Sequence, residues 1–122
     1  LPVNEEAVRT LNSLDKIANQ FILTPRYAEA IPKTRELFAR AFPAINLPIE
    51  FAGEFQEVPI SKAEVCRRKQ ATHIIEDNAH YALQCAETGM TSFLIARPWN
   101  KDSEKHKDII PINSISEVIQ YL

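Results

Sequence analysis

Three short, uninterrupted apolar runs constrain this chain more than any other feature: Phe21-Ile22-Leu23, Ile74-Ile75 and Phe93-Leu94-Ile95. Each ends within two residues at polar or proline positions: Thr24-Pro25, Glu76-Asp77 and Arg97-Pro98. A continuous apolar run too short for a helix fits a strand buried on both faces. Between the runs lie segments of helical period. Residues 4 to 18 place Ala7, Val8, Leu11, Leu14, Ile17 and Ala18 on one face, with Asn4 as N-cap and Glu5-Glu6 in the first turn. A second segment covers about residues 27 to 42, its regular helix starting near Pro32. Ser61 and Glu64 form a capping box, and the segment from Ala79 to Thr88 stops at Gly89. Residues 49 to 55 read as a further extended segment, residues 100 to 106 as a polar loop, and Asn113 or Ser114 opens a last short helix.

Strands alternating with helices, and strands that are apolar throughout, predict a three-layer, Rossmann-like α/β fold: a parallel sheet with helices on both faces. At 122 residues the chain suits one hydrophobic core, so residues 1–122 are expected to form a single domain.

Composition removes several function classes. The net charge of -2 gives no surface for a nucleic acid polymer. No apolar stretch reaches the roughly 18 residues that a membrane helix needs, and no basic-then-apolar leader is visible. Only two glycines occur, Gly53 and Gly89, which excludes glycine-rich phosphate loops. Cys66 and Cys85 fall among apolar neighbours without zinc spacing, so they are expected as reduced core residues in a cytoplasmic setting.

Ligands of open parallel sheets bind beyond the carboxyl ends of the strands. The residues there are Thr24, Pro25 and Arg26; Glu54 and Gln56; Glu76, Asp77 and Asn78; and Arg97, Pro98, Trp99 and Asn100. Lys62 opens the helix before the acidic strand. A hydroxyl, an ammonium and paired carboxylates suit a phosphate site with a divalent metal. The hydroxyl hydrogen-bonds a phosphoryl oxygen, the ammonium neutralises developing charge, and carboxylates are hard oxygen ligands for Mg²⁺. Each residue also has a structural alternative. Thr24 suits a turn, Lys62 a solvated surface, Asp77 or Asn78 a helix N-cap, and Trp99 a loop anchor packed on the core. His73 and His80 receive no role, and His106 is expected to be solvated.

Taken in order, FILTPR, SKAEVC, HIIEDN and the strand followed by ARPWN resemble the haloacid dehalogenase superfamily, in its 5'-nucleotidase and deoxyribonucleotidase branch. The resemblance runs from about residue 4 onward. It implies that Thr24 binds phosphate, that Lys62 binds phosphate and stabilises the charge of a phosphoaspartate, and that Asp77, with Glu76 as partner, binds Mg²⁺. A small phosphorylated substrate, such as a nucleotide, follows from the same resemblance.

The family's reaction requires a DxD motif, and none is present: Asp15, Asp77, Asp102 and Asp108 are the only aspartates. In the family that motif ends the first, central strand, between the threonine strand and the acidic strand. The sequence therefore resembles the C-terminal portion of such a protein. A sheet without its middle strand would leave two inner edges unpaired, to be closed by direct pairing, by a second copy in a homodimer, or by a missing N-terminal segment. Two functions compete: the phosphate and metal half of a phosphohydrolase, inactive alone, and a non-catalytic binding or assembly module. A receiver-like signalling domain fits less well, because the acidic pair comes late and no acceptor Asp follows it.

Overall fold

The computed structural model describes residues 5–25, 28–45, 47–53 and 59–122. These divide into two compact units, the residues up to Ser61 together with Leu122, and Lys62–Tyr121. Asn4, Arg26, Glu54 and Gln56, all given roles by the sequence, lie outside the described residues.

The first unit contains α1 (Glu5–Leu14), β1 (Ile22–Thr24), a 3₁₀ turn at Ala28–Ala30, α2 (Ile31–Ala41) and β2 (Ile49–Phe51). Pro32 sits in the first turn of α2, where a missing N–H costs nothing. α1 stops at Leu14, earlier than its periodicity suggests. Ile17 then falls in a turn and is 61% exposed, instead of on the buried face. β1 and β2 pair in parallel, Ile22 opposite Ile49 and Thr24 opposite Phe51. Leu14, Phe42, Ile49 and Ala52 are buried. Just past β2, Gly53 adopts a φ of +106°, a region that L side chains rarely enter, and its amide donates to Ile60 O.

The second unit contains α3 (Lys62–Arg68), β3 (His73–Glu76), α4 (Ala79–Glu87), β4 (Thr91–Ile95), β5 (Ile109–Ile112) and a 3₁₀ helix, Ile115–Tyr121. Its sheet runs β3-β4-β5, parallel throughout. The alternation of β4 divides its side chains between two faces. Ser92 Oγ donates to Ala82 O of α4 at 2.8 Å, and Phe93, on the other face, meets Tyr121 with ring centroids 5.6 Å apart. His73 stacks on Phe93 at 5.9 Å, a packing role that accounts for this histidine. Gly89 ends α4 with a φ of +96°.

The molecule is thus α/β with parallel strands, but the strands form two small sheets, β1-β2 and β3-β4-β5. Two expectations need correction. The segment after the polar loop contains β5, which the sequence left unassigned because Pro111 interrupts its apolar run. Proline removes one ladder donor and is tolerated at a sheet edge, and β5 is the edge partner of β4. The last helix is 3₁₀ rather than α, and the Asn113 amide donates to Glu117 Oε1 at its start. Among the described residues, no helix is long and apolar enough to cross a membrane.

Candidate functional site

The second unit gathers its polar groups where β3 and β4 end. β3 delivers the Glu76 side chain into a buried position, 8% exposed. Glu76 Oε2 accepts from Lys62 Nζ at 2.9 Å, and Oε1 accepts the backbone amides of Asp77 and Asn78, both at 3.1 Å. Lys62 opens α3, and its Nζ lies 4.6 Å from the centroid of the Tyr81 ring. A buried charge is tolerated only when it is paired and hydrogen-bonded. The carboxylate, two amides, an ammonium and an aromatic face meet that condition here. Lys62 is therefore not a solvated surface lysine.

The adjacent acidic residues have different fates. The N-cap of α4 is Asn78, whose backbone is extended and whose Oδ1 accepts Tyr81 N at 3.1 Å. Asp77 is left with no capping task. Its amide is held by Glu76, and its carbonyl accepts both Asn100 Nδ2 at 2.8 Å and Trp99 Nε1 at 3.1 Å. The side chain is half-buried, and among the described residues no hydrogen bond or ion pair engages its carboxylate. The backbone of Asp77 is saturated while its charge is free.

The turn after β4 explains how this is arranged. Asn100 is 5% exposed, and its amide makes three bonds. Nδ2 donates to Ile95 O at 2.9 Å as well as to Asp77 O, and Oδ1 accepts Arg97 N at 3.0 Å. Trp99 is 69% exposed and does not pack on the core as a loop anchor would. It is tied by its indole N–H to the Asp77 carbonyl instead. Arg97 turns its guanidinium back on its own chain, Nη1 donating to Ala96 O. Sequence reasoning placed Asn100 at a strand end but missed its bridging task. The available signal was an amide, with two donors and an acceptor, closing a Pro-containing turn directly after a strand.

Among the expected metal ligands, Asp77 offers an unengaged carboxylate. Both oxygens of Glu76 are already engaged, so a metal would have to displace a partner from one of them. Among the described residues, no group of three or more His, Cys, Asp or Glu side chains could hold an ion. The residues present thus fit a carboxylate contribution to a metal site and do not form a complete one. Thr24 ends β1 in the first unit, buried, with its carbonyl accepting Ala52 N at 3.0 Å.

Cys66 on α3 and Cys85 on α4 are both free and fully buried. The Cys85 thiol, followed by burial, pushes Cys66 up from the ordinary thiol value, and Cys66 in turn holds Cys85 down. No family model, curated protein or solved structure matches the chain.

Proposed function

We propose that this chain carries the phosphate- and magnesium-binding half of a haloacid dehalogenase-type phosphohydrolase of the nucleotidase-like branch, built on a three-layer sheet of that family's kind. One observation carries the reading. Asp77, at the carboxyl end of a parallel strand, keeps an unengaged carboxylate beside a buried Lys62–Glu76 pair while a separate residue, Asn78, caps the following helix. A carboxylate freed from capping and presented at a strand end is one oxygen ligand of the kind a hard cation takes.

In this reading the residues divide the work. Asp77 supplies a carboxylate oxygen to Mg²⁺, and Glu76 acts chiefly by holding Lys62. An ammonium has three donors, of which Glu76 takes one; a second can meet a phosphoryl oxygen. The chemistry that a bound magnesium supplies is neutralisation of phosphoryl charge. The aspartate nucleophile of this reading is not among these 122 residues, so a second copy of them can complete the sheet but not supply it, and it belongs to a further segment or a different chain. Among the described residues β3 is paired along one edge only, which is compatible with such an addition. The substrate class is a small phosphorylated molecule, such as a nucleotide, in a cytoplasmic setting.

The test is calorimetric titration with Mg²⁺, with and without beryllofluoride as a phosphoryl mimic. Saturable binding that disappears in Asp77→Asn is expected. Absence of binding in the unmodified protein would overturn the reading and favour the second one, a non-catalytic binding or assembly module. That alternative draws on the mutual neutralisation of Lys62 and Glu76 and on the missing DxD.

A further inference from the structure

Two nucleophilic groups in the interior of the second unit have no part in the proposed site: the free, fully buried thiols of Cys66 on α3 and Cys85 on α4. We propose that Cys66 and Cys85 are an oxidisable pair, which a hydroperoxide converts to a disulfide that staples α3 to α4.

Helical register brings the two together. α3 leads into β3 and α4 into β4, which are parallel strands, so the two helices run in the same sense, and they pack against each other. Lys62, at the start of α3, places its Nζ 4.6 Å from the centroid of the Tyr81 ring on α4. Cys66 follows Lys62 by four residues, and Cys85 follows Tyr81 by four. One turn beyond an observed contact, on the same face of each helix, the cysteines stand opposite each other. Their acidities agree: each thiol is the foremost influence on the other. Ala82 and Ala86, buried with Cys85, are small side chains that let the helix axes approach.

Buried thiols are inert until the fold opens locally, and α3 is the element suited to open. Its seven residues are too few to hold a helix without packing. The following turn, residues 67–70, is exposed and closes through Gln70 at a φ of +58°, a conformation strained for a side chain and usual for glycine. That turn hangs from Cys66, whose carbonyl accepts Ala71 N at 2.9 Å. Release of the turn uncovers Cys66 and, opposite it, Cys85.

The chemistry balances with the peroxide as sole oxidant. The Cys85 sulfur attacks a peroxide oxygen, the O–O bond breaks, and a sulfenic acid and one water result. Cys66 then attacks that sulfur, the S–O bond breaks, and a second water leaves with the remaining thiol proton. The two sulfurs together lose two electrons and the peroxide gains them. A small thiol reverses the step by exchange.

The unmodified chain is treated with hydrogen peroxide under native conditions and digested without reductant for mass spectrometry. The expected result is a peptide pair joined through Cys66 and Cys85, separated again by dithiothreitol, together with slower amide exchange across α3 in the oxidised protein. Cys66→Ser and Cys85→Ser should each abolish the joined pair. Thiols that stay free under native conditions and react only in urea would overturn the proposal. So would sulfinic or sulfonic acids, or disulfides between molecules, in place of the internal bond.

Discussion

At the scale of single residues, Glu76, Asp77 and Asn78 show how three adjacent polar side chains of similar size separate into three tasks. Glu76 follows the inward alternation of β3 and is buried against Lys62, Asp77 projects from a fixed backbone, and Asn78 caps α4. The ion pair allows a sharp prediction. Its side chains are 13% and 8% exposed, so deleting the cation leaves a carboxylate whose charge water cannot reach. Lys62→Met should destabilise the protein by about 3 kcal/mol, near the lower end for a broken buried pair because two amides still serve Glu76. Urea denaturation measures it. A loss below about 1 kcal/mol would show that the pair is solvated in solution.

At the scale of elements, α3 is only seven residues long and draws support from both of its faces. Its inner side presents Val65 and Cys66 to the interior. Its outer side carries Glu64 bonded to Arg67 and Arg68, one turn further on. The Arg67 guanidinium, and then that of Arg68, hold the Glu64 carboxyl down at about 2 from its ordinary 4.5. A carboxyl whose pKa is lower in the folded state contributes stability above its unfolded value and loses it as pH falls through the folded one. Glu64 therefore adds to the acid sensitivity of the protein between about pH 4.5 and about pH 2. Because the side chain is 33% exposed and its arginine partners are well exposed, the effect is small and screened by salt. Thermal unfolding followed across that interval should show a shallower pH dependence in Glu64→Gln than in the unmodified protein. Identical slopes would remove Glu64 from the account.

At the scale of the whole molecule, the described strands form two parallel sheets and no DxD occurs in the 122 residues, so the proposed reading leaves them without a nucleophile. These 122 residues alone should therefore not hydrolyse a generic ester such as para-nitrophenyl phosphate, with or without Mg²⁺. Steady hydrolysis that vanishes in Asp77→Asn would show that the chain supplies a nucleophile of its own.

The sequence by itself determined the alternation of helices and parallel strands, because period and apolar continuity are local properties that burial then only confirms. FILT, HIIE and SFLI became strands close to their expected bounds, Gly89 ended its helix, and Pro32 marked the start of another. β5 was obscured by Pro111, whose acceptability depends on lying at an edge, and edges exist only once strands have been ordered. The sharing of roles within Glu76-Asp77-Asn78 was also beyond the sequence. Any of the three can cap a helix or hold a charge, and the choice depends on what stands opposite. Lys62, 14 positions earlier, claimed Glu76. Asn100, 23 positions later, fixed the backbone of Asp77 and left its carboxylate free. Local pattern selects the elements, but a polar group takes its function from partners that only the tertiary structure brings within hydrogen-bonding distance.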